Sequence, residues 1–142
     1  MRLDVHQVAA CRPYPPRVSA FTERFWKELG ERRLTTTQCR ACGKRTFPPK
    51  IICPHCWSDE VEWVDMPLEG ELYSWTRIHA APAVFQALAP YTVGIVELGR
   101  RIRLACPLVV PEGVSVAVGS RVKMVVMMFE DGPLFAARVE TS

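Results

Sequence analysis

Two Cys-x-x-Cys pairs, Cys39 with Cys42 and Cys53 with Cys56, stand ten residues apart in a chain of 142 residues. No other feature restricts the fold as strongly. Two thiolates three residues apart on a tight turn can grip one ion. Four of them at about 2.3 Å complete a tetrahedral shell that leaves no position for water. The metal such a set holds is structural, because a closed site cannot activate a water molecule. Its work is to fold a segment too small to hold itself together.

The intervening KRTFPPKII has room for a hairpin return and is shorter than the common ribbon spacing of about 15–20 residues. A compact, rubredoxin-like ribbon over residues 34–60 is the expectation. Gly43 follows the first pair, where a left-handed backbone is needed, whereas Trp57 occupies the matching place after the second. Zinc is expected rather than iron, since no redox partner or second cofactor motif accompanies the cysteines. His55, inside the second pair, is read as solvent-facing and not as a ligand.

The remaining cysteines carry no visible chemistry. Cys106 lies in the apolar run RLACPLVV and reads as a buried, inert thiol. Cys11 precedes a proline-rich stretch and reads as exposed. The opening MRLDVHQVAACRPYPPR lacks the apolar core of a signal peptide, so a cytoplasmic location is expected. Thiols are kept reduced there, which favours metal over disulfides. No apolar run is long enough for a membrane helix.

Residues 1–18, with Pro13, Pro15 and Pro16, show no periodicity and are expected to form an extended arm that orders only against a partner. An amphipathic helix is predicted within residues 19–33, with Ser19 as N-cap and Gly30 closing the last turn. Its apolar face holds Phe21, Phe25, Trp26 and Leu29. A helix of that length cannot bury three aromatics by itself. Docking on its own domain and docking on another subunit are both open at this point.

From Val61 the pattern alternates with period two. ELYSWTRIH (71–79), YTVGIVEL (91–98), RIRLACPLVV (101–110), RVKMVVMMF (121–129) and PLFAARVE (133–140) read as strands bounded by turn residues. Five strands without a convincing helix between them predict a closed OB-fold barrel over residues 61–142. The fold class is therefore mainly β: an N-terminal helix, a zinc ribbon, then a five-stranded barrel. The segment AAPAVFQALAP (80–90) is apolar and long for a hairpin. It reads either as a weak helical turn plugging one barrel end or as a binding loop.

The net charge of +3 is unevenly spread, for residues 24–50 hold eight Arg or Lys against two Glu. This basic front suggests an anionic partner: nucleic acid, a phosphorylated ligand or an acidic protein face. Catalytic signatures are missing. There is no Gly-rich phosphate loop, nucleophile elbow, zinc-protease helix or nucleotide fingerprint. His6, His55 and His79 are scattered, so the chain alone does not read as an enzyme.

The runs RFWKELGERRL, QCRACGKRTFPP, CPHC, GELYSWTRIH and APYTVGIVEL, in that order, resemble the acyl-CoA-associated family that joins a rubredoxin-like zinc ribbon to an OB-fold. The resemblance spans roughly residues 19–140, and Trp57 departs from its usual glycine. It implies a non-catalytic accessory subunit whose thiolase-fold partner holds the catalytic residues. Such partners include archaeal acetoacetyl-CoA thiolase with a hydroxymethylglutaryl-CoA synthase, aldolases of steroid side-chain breakdown, a thiolase of aromatic-compound β-oxidation and a phloroglucinol acyltransferase. On this reading Phe21, Phe25 and Trp26 form a partner interface. Arg40, Lys44, Arg45 and Lys50 meet CoA phosphates or an acidic partner surface. Trp75, His79, Phe85 and Tyr91, with Val84 and Leu88, line an acyl channel. A solvated charged face and ordinary barrel packing are the competing readings of the last two groups.

Two further classes compete. Ribbons and OB barrels also bind single-stranded nucleic acid, but the strands lack basic residues interleaved with exposed aromatics, and YTVGIVEL carries a single charge, which is acidic. A stand-alone acyl-CoA carrier or a rubredoxin-like electron carrier is the third.

Overall fold

The computed structural model describes residues 2–99 and 102–141. In chain order it contains β1 (Asp4–Gln7), α1 (Glu23–Gly30), β2 (Thr35–Cys39), β3 (Arg45–Thr46), β4 (Val61–Asp65), β5 (Glu69–Ile78), a 3-10 helix (Ala83–Leu88), β6 (Tyr91–Leu98), β7 (Ile102–Val109), β8 (Arg121–Phe129) and β9 (Gly132–Val139). Among the described residues no helix is long and apolar enough to cross a membrane. Arg101 and Ser142, the first residue of one expected strand and the last of the expected barrel domain, lie outside the described residues, as does Met1.

The five expected strands form the barrel. β5 pairs with β6 and β6 with β7, both antiparallel, while β7 meets β9 in parallel at Leu108 and Val109. β9 runs antiparallel along the whole of β8, and β8 closes the ring on β5 at residues 121–123. Alternation does what the sequence pattern implies. In β7, Ile102, Leu104, Cys106 and Leu108 point inward and are buried, whereas Arg103, Ala105 and Pro107 are exposed. Gly94 on β6 is required by the packing, because a Cβ there would stand 2.9 Å from Leu72 Cδ1 and 3.0 Å from Leu108 Cδ1.

The ribbon is a three-stranded sheet in the order β3-β2-β4. β4 pairs with β2 from Cys39 opposite Val61 to Thr35 opposite Asp65. The ribbon sheet thus runs past residue 60, where the sequence places the boundary. The alternation in VEWVD marks a strand but does not say which sheet takes it. β2 is buried on both sides, and its threonines are mostly satisfied internally: Thr36 Oγ1 donates to the Thr46 carbonyl, and Thr37 Oγ1 accepts the Lys50 N–H at 2.9 Å.

The helix is shorter than expected. Ser19 is not its cap but closes a turn ahead of it, exchanging hydrogen bonds with Thr22 and accepting the Glu23 N–H at 2.9 Å. Nor does Gly30 close the other end. Arg32 takes the left-handed conformation there, φ 68°. It is held by Leu3, whose N–H donates to its carbonyl at 2.8 Å and whose carbonyl accepts its Nε at 2.7 Å.

Phe25 decides how the parts are joined. It is 3% exposed, and its ring lies 5.0 Å from Trp26, 5.8 Å from Phe47 of the ribbon hairpin and 6.1 Å from Phe135 of β9. Ribbon, helix and barrel therefore share one core, in which Leu29, Leu34, Leu98 and Val126 also sit. A residue so enclosed has no face left for a partner, which corrects the interface role the sequence gives Phe25. Phe21 stays half-buried against Trp63, with ring centroids 5.3 Å apart, and Trp26 is half-buried beside Phe135.

The N-terminal arm also departs from expectation, because its ordering partner is the chain's own barrel. Leu3 is fully buried, and β1 lies parallel to β8 with Asp4 opposite Val125 and Gln7 opposite Met128. Farther on, Arg12 clamps the β8–β9 turn, its N–H donating to Asp131 Oδ1 at 2.7 Å and its Nη2 to the Asp131 carbonyl at 2.9 Å. Three prolines in a row of eighteen residues suppress periodicity, so neither contact leaves a local signature. The segment 80–90 forms a 3-10 helix with no buried residue, so it does not plug the barrel.

Candidate metal centre and adjoining cleft

Cys39 ends β2, Cys42 follows on the first turn, and Cys53 and Cys56 bracket the second. Their four sulfurs all lie within 4.8 Å of one another. Cys39 Sγ stands 3.5 Å from Cys56 Sγ, and Cys42 Sγ stands 3.7 Å from Cys53 Sγ. A tetrahedron with metal–sulfur bonds of about 2.3 Å has edges of about 3.8 Å, whereas a disulfide needs about 2.05 Å. The spacing fits one ion in a four-thiolate shell.

The two turns are built alike. The Cys42 N–H points at Cys39 Sγ and the His55 N–H at Cys53 Sγ, each at 3.4 Å. Gly43 donates to the Cys39 carbonyl and Trp57 to the Cys53 carbonyl, both at 2.9 Å, and both residues are left-handed, at φ 78° and φ 64°. Trp57 thus takes the backbone conformation that glycine takes in the first turn, and its side chain is 82% exposed.

Electrostatics shows why a cation belongs among these sulfurs. The Cys42 N–H, helped by neighbouring groups, lowers the Cys39 thiol to about 7. At Cys56 the Ser58 N–H also favours the thiolate, yet the sulfurs of Cys39, Cys42 and Cys53 together with burial push it up to about 12. Four thiolates this close repel one another, and a divalent ion at their centre removes the repulsion. Cys106 is different in kind. Enclosed in the barrel, its thiol is pushed up to about 12 by burial, as suits an inert core residue. Cys11 is exposed.

Beside the metal turns a cleft of about 570 Å³ opens between ribbon and barrel, lined by Gln38, Gly43, Lys44, Arg45, His55, Pro67, Gly99 and Ile102. The structure brings Lys44 and Arg45 together here. Arg40 points elsewhere, paired with Glu62 at 3.2 Å, and Lys50 does not line the cleft. Sequence reasoning missed Gln38, Pro67 and Ile102, which reach the cleft only through the docking of ribbon on barrel. His55 is exposed as expected, but it faces this cleft.

The expected channel residues are only partly assembled. Phe85 and Tyr91 pack at a tilt, with ring centroids 5.9 Å apart. Trp75, 40% exposed, lies along a separate shallow groove of about 250 Å³ with Val93, Ile95 and Ala105, and His79 does not line that groove. Val84 and Leu88 are exposed on the 3-10 helix.

Comparison with known proteins now places the chain. The family model described as "ChsH2, rubredoxin-like zinc ribbon domain" matches residues 26–62, and "ChsH2, C-terminal OB-fold domain" matches residues 63–127. A "DUF35 domain-containing scaffold protein" of Methanothermobacter thermautotrophicus is 34% identical over 106 residues, covering 73% of this chain and 80% of that one. The chain belongs to the DUF35 family.

Among DUF35 relatives, the "Benzoylsuccinyl-CoA thiolase subunit BbsA" of Thauera aromatica is 32% identical over 71 residues, 50% of this chain and 48% of that one. A solved structure titled "Ltp2-ChsH2(DUF35) aldolase" superposes with a TM-score of 0.75 at 28% identity, over 88% of this chain and 98% of that one.

Proposed function

We propose that this DUF35 protein is a non-catalytic scaffold subunit of a thiolase-fold, acyl-CoA-processing enzyme, with zinc as its structural ion. The observation that carries this reading is the match along 98% of the DUF35 chain of an aldolase complex. Relatives named as scaffold proteins and as a thiolase subunit support it. The chain's own chemistry agrees, since its strongest cluster of reactive groups is a four-sulfur set that leaves a bound ion no open position. Four thiolates suit zinc or iron; zinc adds no redox chemistry, which suits a scaffold.

In that role the carbon–carbon or acyl-transfer chemistry belongs to the partner. Lys44 and Arg45 supply positive charge at the cleft mouth, where CoA phosphates would be held. Phe85, Tyr91 and Trp75 would meet the partner's acyl channel from the barrel side.

The test is co-purification from the native host followed by reconstitution. A thiolase-fold protein should travel with the chain and be inactive or insoluble without it, and the mass of the complex shows whether a synthase-type subunit joins. A thiolase-fold partner that is fully active alone and unchanged by adding the chain would refute the proposal.

A further inference from the structure

The second metal turn exposes more apolar surface than its fold requires. Trp57 is 82% exposed, Ile51 62% and Ile52 47%. The Cys53 N–H donates to the Ser58 carbonyl and the Trp57 N–H to the Cys53 carbonyl, both at 2.9 Å, so the backbone next to Ile52 is drawn towards that at Trp57. Among the described residues the Trp57 ring has no aromatic partner, whereas Trp26 stacks on Phe135 and Trp63 packs at a tilt against Phe21, both of them half-buried. Isolated exposed apolar residues are ordinary, but three large ones within residues 51–57 are a local concentration.

Backbone conformation supplies an independent observation. Trp57 holds φ 64° at a place where the equivalent residue of the first turn is Gly43, φ 78°. Glycine adopts that conformation without cost, and a bulky side chain does not. A tryptophan held there against its preference, and pointing into solvent, contributes nothing to the core. Strain of this kind collects at binding sites, and a rigid, half-polar ring on a metal-fixed turn is the kind of side chain that anchors an interface.

We infer that the tip Ile51–Ile52–Trp57 is the anchor by which this chain docks on its catalytic subunit, seated in an apolar pocket of that enzyme. The inference rests on the scaffold reading given above. Two features select this occupant. In sequence Lys50 precedes the tip and Asp59 and Glu60 follow it, all three exposed, so its surroundings carry both signs and ask for a pocket with complementary charges. A uniformly anionic lipid surface would repel the acidic side. The tip is also continuous with the cleft, because His55 of the same turn lines it beside Lys44 and Arg45. Among the described residues Lys44, Arg45 and Lys50 make no ion pair. An enzyme that seats Trp57 covers the mouth of that basic cleft, which is where a CoA-processing active site would gain from it.

Two variants test the anchor against the repurified thiolase-fold enzyme that accompanies the wild-type chain. Trp57→Gly removes the ring and relieves the backbone, so metal content and thermal midpoint should hold or rise. Affinity for the enzyme, measured by calorimetry, should fall by about tenfold or more. Ile51→Ser combined with Ile52→Ser, which leaves Trp57 in place, should weaken binding in the same direction. Wild-type affinity in both variants overturns the anchor while leaving the scaffold reading intact. Absence of any enzyme binding by the wild-type chain overturns the reading and the anchor together. Self-association that Trp57→Gly abolishes, with enzyme binding unchanged, also overturns it, and gives the tip to a second copy.

Discussion

Arg138 of β9 reaches the carboxylate of Asp4 in β1 at 3.1 Å, across β8. Lys123 of β8 comes to the same carboxylate at 3.5 Å. The first strand is thus tied to the barrel by charge at Asp4 and by burial at Leu3, which is fully enclosed.

Acid should release this arm first. The Arg138 hydrogen bond and the Lys123 charge hold Asp4 below the ordinary carboxylate range, and the Arg12 N–H does the same for Asp131. A carboxyl depressed in the folded state stabilises it above the unfolded value, about 3.9. That contribution is lost as pH falls through the depressed one. Amide protection factors in residues 3–12 should therefore fall below about pH 4 before those of the barrel do. Both carboxylates are partly exposed, so Asp4→Asn should cost at most about 1 kcal/mol. Leu3→Ala removes buried volume and should cost about 2–5 kcal/mol. A near-neutral Leu3→Ala in urea melts would mean that the arm is not part of the cooperative fold.

Phe25 separates a core role from an interface role. Its ring packs on Trp26, Phe47 and Phe135, so Phe25→Ala should lower unfolding free energy by about 3–5 kcal/mol. Phe21→Ala, which loses one half-buried contact with Trp63, should cost clearly less. Equal losses in denaturant titrations would place both rings in the same environment and contradict the packing described.

How much of this was legible follows from which interactions are local. The barrel strands were readable because alternation is a property of each segment: YTVGIVEL spans β6 from Tyr91 to Leu98 without adjustment. The cysteine set was readable because ligand spacing is itself the constraint. Whatever depends on a distant partner was not. VEWVD announces a strand, but its place in the ribbon sheet comes from pairing with Thr35–Cys39. Asp4–Gln7 becomes a strand only because β8 offers it an edge, and Lys44 becomes a neighbour of Ile102 only once ribbon and barrel have docked. The helix face showed that its aromatics are buried but not whether the chain itself buries them.

Metal removal should unfold the ribbon and leave much of the barrel standing, because the ring β5-β6-β7-β9-β8 closes without the cysteines. The purified chain should hold one ion per molecule and, with zinc, show no visible colour; a ferric tetrathiolate would be coloured. Chelation should shift the fluorescence of Trp63, which sits on β4 opposite Thr37. Metal affinity should fall as pH is lowered, since protons compete for the thiolates. Cys53→Ser should reproduce the chelated state. Retention of ribbon amide protection after the metal is stripped would show that the ion is not what holds the segment.

The cleft makes a separate claim about charge. Lys44→Glu with Arg45→Glu reverses the two cations that line it, on side chains already exposed, so folding and metal content should be unchanged. In the reconstituted complex, KM for a CoA thioester should rise about tenfold or more, with the effect shrinking at high salt. KM for the matching pantetheine thioester, which lacks the nucleotide phosphates, should move little. Arg40→Glu is the control, since Arg40 is turned away and already paired with Glu62 at 3.2 Å. Equal rises for CoA and pantetheine substrates would locate the defect in subunit contact instead of phosphate recognition. A flat response to all three substitutions would leave the basic hairpin as a solvated face.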